Sequence, residues 1–315
     1  MVFKRLLGAL GVGGPSVDTV LDGGAVQPGT ALTGRVLVEG GTMDVEINGI
    51  TLDFVARVEH EGGDVESEGT VVFHRAQVGG GFRLAEGQQY AVPFSVPVPW
   101  ETPITEVYGR PLGVVLGVRT ELSVAGAVDK GDLDPLPVRP LPVQEAVLEA
   151  FGRLGFDFRS ADLEYGHIRG TGQTLPFYQE IELTPAPQYA HAVNEIEVSF
   201  LASPAGLEVV LEADKRGGLF TSGHDVVNRF TVSHQDVGHV DFTGLVDSWV
   251  RQLVERHGGL GGHGGHGLFG GHHEPAPHHH DDHHSGIGGA VGGFAAGVIG
   301  GLVAGEIIEE IFDDD

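Results

Sequence analysis

A chain of 315 residues, 41% of them hydrophobic, has enough material for two cores of ordinary domain size, which excludes disorder throughout. It contains no cysteine, so disulfides, thiolate zinc sites and thiol nucleophiles are excluded, and the composition fits a reducing cytosol. The formal net charge of −26, with no basic patch to offset it, repels phosphate backbones and anionic headgroups, so nucleic acid is excluded and any membrane contact must be hydrophobic.

Lys4 and Arg5 followed by Leu6 to Val12 imitate a secretory start. The apolar stretch is short and broken by glycine, no small-x-small site follows, and the segment is expected to be retained. From Val17 to Val138 short β-rich runs alternate with turns. Val36 and Val38, Val45 and Ile47, Leu52 and Phe54, and Val92, Phe94 and Val96 keep the two-residue period of half-buried strands. Asn48-Gly49 reads as a tight hairpin turn, since both residues tolerate positive φ. Pro93, Pro97 and Pro99 place their strand at a sheet edge, because proline cannot donate to a ladder.

The prolines at 135, 137, 140 and 142 predict a stiff connector over Asp134 to Pro142. A helix follows over Val143 to Leu154 and stops at Gly155. Strands are predicted at Phe156–Phe158, Phe177–Leu183, Ile196–Phe200, Leu207–Leu211 and Arg229–Val232, and a last helix over Asp241 to His257, closed by His257 and Gly258. The result is a mainly all-β fold: two tandem antiparallel β-sandwiches, residues 1–138 and 139–257, each with its own inner apolar face, plus two short helices.

Residues 258–284 are glycine, histidine and a few acids and cannot bury a core, so a disordered linker is expected. Ten of the seventeen histidines fall between His257 and His284. His263, His266, His272, His273, His278, His279, His280, His283 and His284 offer imidazoles to zinc, nickel or copper, as adventitious binding or as a metal or pH sensor. In residues 285–315 a charge-free run carries Gly289, Gly293, Gly297, Gly301 and Gly305 four residues apart, the spacing of a glycine-zipper helix. Membrane association, self-assembly and folding back onto a sandwich all fit that pattern. Such an anchor would make a cytoplasmic protein membrane-associated.

No glycine-rich phosphate loop, His-Glu-x-x-His or Gly-x-Ser-x-Gly elbow occurs, and Gly11-Val12-Gly13 and Gly79 to Gly81 read as turns. His234, Asp236 and His239 have ligand chemistry but read as surface residues of a connector. The acid pairs Glu59 with Glu61 and Asp132 with Asp134 read as solvation. No cofactor is called for, and the chain is read as non-enzymatic.

Several segments carry a family likeness. They include Met1-Val2-Phe3-Lys4, Val17-Asp18-Thr19-Val20-Leu21, Pro28-Gly29, Leu32-Thr33-Gly34-Arg35-Val36, Val92-Pro93-Phe94 and Thr102-Pro103. Val138-Arg139-Pro140, Ala146 to Ala150 with Leu154-Gly155-Phe156, Leu175 to Glu180 and Gly206-Leu207-Glu208-Val209 continue it. In their order these resemble the bacterial sporulation-control family, over residues 1–257. The resemblance implies an arrestin-like pair of sandwiches that acts by binding protein partners, with no catalytic residues to carry over.

Overall fold

The structure, a computed structural model, describes residues 13–61, 66–213 and 228–259. The first half supplies β1 (Ser16–Leu21), β2 (Ala31–Glu39), β3 (Val45–Glu61), β4 (Glu66–Gly79), β5 (Phe82–Leu84) and β6 (Gln89–Pro97). The short pair β7 (Glu106–Val107) and β8 (Arg110–Pro111) precedes β9 (Leu116–Val124) and β10 (Lys130–Pro135). Helix α1 (Pro142–Leu154) opens the second half, followed by β11 (Asp157–Tyr165), β12 (Phe177–Thr184), β13 (Ile196–Ser203), β14 (Gly206–Ala213) and β15 (Asn228–Val232). A single 3-10 turn at His234–Asp236 leads into α2 (Phe242–Gly259).

Strands β1, β2 and β6 form one antiparallel sheet. Strict alternation along β2 turns Leu32, Val36 and Val38 inward and Arg35, Leu37 and Glu39 outward. Gly34 is required there because a Cβ would stand 2.4 Å from the Val20 carbonyl oxygen and 2.7 Å from the Phe94 ring. The proline-bearing strand β6 ends this sheet, as its missing donors demand.

The second sheet runs β10-β9-β3-β11-β12-β13-β14-β15, with β4 and β5 also paired to β3. Its two halves meet at a parallel bridge between Glu59 and Glu164, a departure from purely antiparallel pairing. Asn48-Gly49 is not a hairpin turn: both residues lie within β3, where the ladder with β9 slips between Ile47 and Gly49. The backbone of Gly80 packs so closely there that a Cβ would sit 2.5 Å from the Asn48 carbonyl oxygen, so the dipeptide serves a bulge instead. Gly80 and Gly81 do turn the chain, both at positive φ.

The proline connector is threaded through the body. Leu136 and Val138 are buried, Leu136 N–H donates to the Leu116 carbonyl at 2.9 Å, and Val138 bridges Val26 in parallel. Helix α1 starts on Pro142, where a missing N–H costs nothing, with the Gln144 side chain accepting from Leu141 N–H at 2.8 Å. Gly155, at φ 93°, closes it. In α2 the side chains of Phe242, Val246, Trp249, Val250 and Leu253 are buried, and Trp249 stacks on Phe230 at 4.7 Å. The helix continues through His257 and Gly258, which were expected to close it, to Gly259.

Two separate inner faces were expected, but the buried apolar side chains of both halves form one contiguous cluster from Leu32 to Leu253. Phe73 meets Phe177 edge-on at 5.6 Å across the junction. Polar clamps reinforce it. The Gln179 amide accepts from Ile104 N–H at 3.0 Å and donates to its carbonyl at 2.8 Å, imitating a strand partner. The Glu101 carboxylate accepts from the N–H groups of Thr174 and Leu175.

Candidate functional site

The register of the second half determines which acids meet. Asp162 on β11 lies opposite Glu180 on β12, and Glu164 lies opposite Tyr178. Glu182 faces Glu197 on β13, which faces Glu212 on β14. Because side chains alternate along strands, all of these share the face opposite the one carrying Ile181, Leu183 and Val198. One carboxylate oxygen each from Asp162, Glu164 and Glu180 lie within 4.8 Å of one another, the spacing of ligands around a metal ion. Glu180 is 8% exposed and Glu164 is 9% exposed. Burial, then the charges of Glu197, Asp162, Glu164 and Glu212, push the Glu180 carboxyl up to about 10. Burial, then the charges of Glu180, Glu164, Glu212 and Glu197, raise the Tyr178 hydroxyl. Arg159 pairs with Glu195 and with Glu182 of this face, and Arg229 with Glu208 and the Gly170 carbonyl.

The first half buries a carboxylate differently. Asp53 on β3 is 1% exposed and lies between Arg75 on β4 and Arg119 on β9. Arg75 donates from Nε and Nη2 at 2.6 and 2.7 Å, and Arg119 from Nη2 at 2.7 Å. Burial alone would raise the Asp53 carboxyl, but the hydrogen bonds from Arg75 and Arg119 and their charges hold it below its ordinary value.

At the seam between β1 and β10, Asp132 accepts from Thr19 N–H at 2.7 Å, and the hydroxyls of Thr19 and Thr120 meet at 2.6 Å. Asp134 stands two residues along the same face. Its carboxyl is pushed up to about 7 by burial, then by the charges of Asp132 and Asp18 and a hydrogen bond shared with Asp132. Reading Asp132 and Asp134 as simple solvation is therefore corrected.

These arrangements sit on a fold that can be placed. The family profile described as SpoOM protein matches residues 3–217. The chain belongs to this family of sporulation-control proteins. The sporulation-control protein spo0M of Bacillus subtilis (strain 168) is 35% identical over 215 residues, 68% of this chain and 81% of that protein. The crystal structure of Spo0M from Bacillus subtilis superposes with a TM-score of 0.67 at 30% identity, covering 78% of this chain and all of that one. The mainly β architecture is thus shared with a solved sporulation-control protein.

Within this member, the other residues singled out by sequence fall as follows. Asp236 accepts from Ser233 N–H at 2.7 Å and caps the 3-10 turn. His234 bonds the Ser203 carbonyl at 2.8 Å and packs on Trp100, so Asp236 and His234 have structural duties and His239 does not join them in a ligand set. Glu59 sits at the bridge between the two halves, and nothing is described of the Glu61 side chain. The nine tract histidines, the five zipper glycines and the secretory-like start lie outside the described residues. Among the described residues no helix is long and apolar enough to cross a membrane.

Sequence reading missed Asp162, Glu164 and Glu180. The signal present was acids at i and i+2, in Asp162 with Glu164 and Glu180 with Glu182; the strand carrying Glu180 was predicted, but the one expected at Phe156–Phe158 runs on to Tyr165 and so takes in Asp162 and Glu164.

A further surface feature is a shallow cleft of about 380 Å³ at the three-stranded sheet, lined by Asp18, Leu37, Glu39 and Tyr90 among others. Leu37 is 37% exposed and Tyr90 46% exposed, with Tyr90 leaning on Phe82 at 4.8 Å.

Proposed function

We propose that the chain is a non-enzymatic, arrestin-like scaffold in the control of sporulation, acting by binding other proteins. Membership of the sporulation-control family supports the process. The observation that carries the binding mode is the cleft lined by Asp18, Leu37, Glu39 and Tyr90, which brings an exposed aliphatic and an exposed aromatic residue together with two acids. Exposed aromatic anchors with a charged rim are the usual centre of a protein interface. A partner that fits presents an apolar side chain flanked by lysine or arginine.

The test replaces Tyr90 with a photo-crosslinking residue in the native host, identifies the adduct, and then measures its binding to purified protein. Wild type should bind that partner, and Leu37→Asp combined with Tyr90→Ala should weaken it at least tenfold without shifting the thermal midpoint by more than a few degrees. Equal binding by both proteins would refute the assignment. In the same reading residues 285–305 supply self-assembly or membrane association, and replacing Gly293, Gly297 and Gly301 by leucine should lower native mass or membrane retention.

A further inference from the structure

We propose that Asn48-Gly49 is a site of spontaneous modification, at which Asn48 loses its side-chain amide in the folded protein and becomes aspartate or isoaspartate. The chemistry is intramolecular. Gly49 N gives up its proton and attacks Asn48 Cγ; the new carbon–nitrogen bond closes a five-membered succinimide, the bond from Cγ to the amide nitrogen breaks, and that nitrogen leaves as ammonia. Water then opens the ring. Cleavage at Cγ restores the ordinary peptide with an aspartate side chain, whereas cleavage at the Asn48 main-chain carbonyl leaves the chain running through Cγ, one carbon longer. The sum is Asn48 and one water going to one carboxyl group and one ammonia, with nothing oxidised or reduced.

An asparagine inside a sheet is ordinarily protected, because ladders on both sides hold its main chain extended. Here both ladders pass Asn48 by. On one edge of β3 the pairing with β5 ends at Ile47 and the pairing with β4 begins at Ile50; on the other edge the pairing with β9 steps from Ile47 to Gly49. Asn48 is exposed, so water and base reach it. The fold does not require these residue types, since neither is at positive φ and a Cβ on Gly49 would meet nothing closer than Gln77 Nε2 at 3.8 Å. What glycine supplies is a nitrogen with no adjoining side chain to obstruct Cγ. The chain's other asparagines, Asn194 and Asn228, precede Glu195 and Arg229, and Asn228 is buried as well. Ile47 and Ile50, on either side of the dipeptide, are 1% and 0% exposed, so the lengthened main chain of isoaspartate strains the core there.

The full-length protein is incubated under native conditions at pH 6 and pH 8, and peptides are mapped against an unincubated sample by mass spectrometry that distinguishes aspartate from isoaspartate. Wild type should lose the Asn48 amide at least tenfold faster than those of Asn194 and Asn228, with isoaspartate among the products. Loss should be faster at pH 8 than at pH 6, because the attacking nitrogen must first be deprotonated. Gly49→Ala, which the open space around Gly49 accommodates, should keep the thermal midpoint and slow the loss at least tenfold. Isoaspartate-bearing protein, separated by charge, should melt below Asn48→Asp, which carries the same charge on an unlengthened chain. Amide loss at Asn48 no faster than at Asn194, or unaffected by Gly49→Ala, would overturn the proposal, and equal midpoints for the two charged forms would overturn its structural consequence.

Discussion

Two carboxylates are buried in one body, and their surroundings are opposite. In the first half Asp53 is held between two guanidiniums across three adjacent strands, and its carboxyl stays below the ordinary range. In the second half Glu180 is enclosed by other acids, and its carboxyl is pushed up to about 10. Burial raises both; partner charge decides the outcome. The first arrangement locks β4, β3 and β9 together, whereas in the second ionising the carboxyl costs stability.

The largest effect should come from breaking the satisfied site. Asp53→Ala leaves Arg119, 25% exposed, beside a vacated position. Loss of a buried pair costs about 3–5 kcal/mol, and the low end applies because Arg75, 62% exposed, swings into water. Chemical denaturation should therefore show a loss of about 3 kcal/mol.

Glu180 should respond with the other sign. At pH 8, Glu180→Gln should be more stable than wild type by about 1–2 kcal/mol. The native protein keeps the Glu180 proton up to about pH 10 while the unfolded chain releases it near its ordinary value of 4.5. Wild-type stability therefore falls as pH rises between those values, and the advantage of the variant should be smaller at pH 6 than at pH 8. A variant less stable than wild type at pH 8 would show that Glu180 has a stabilising partner.

Asp134 is intermediate, being half-buried beside Asp132. Its carboxyl is raised from 3.8 to about 7, so the native state holds a proton that the unfolded state gives up above about pH 4. Its contribution to stability should decline as pH rises from about 4 to about 7 and then level off. Asp134→Asn should flatten that part of the pH profile by about 1 kcal/mol, the full linkage value being reduced by solvent screening. The exposed helix pair Glu149 with Arg153 marks the lower limit of the comparison. Arg153→Ala should leave the denaturation midpoint unchanged, since both ends are already hydrated.

Much of the fold was legible because local periodicity carries it. The two-residue alternation of β2, the proline-marked edge strand β6, the Gly155 helix stop and the Phe242 to Leu253 helix face are all encoded within a few residues of where they act. Asn48-Gly49 misled because its tolerance of positive φ suits a turn, while the neighbouring strand β9 and the close approach of Gly80 made it a bulge. The acids were visible as residues but not as neighbours. That Asp162 meets Glu180, that Asp53 finds Arg75 and Arg119, and that Asp134 lies near Asp18 depends on register and on contacts across more than a hundred residues in the last case. Sequence determined composition, charge, period and hence the strands and helices themselves. Tertiary structure alone decided which carboxylates are neutralised and which are crowded, because charge interactions depend on distance and burial in space, and neither is written along the chain.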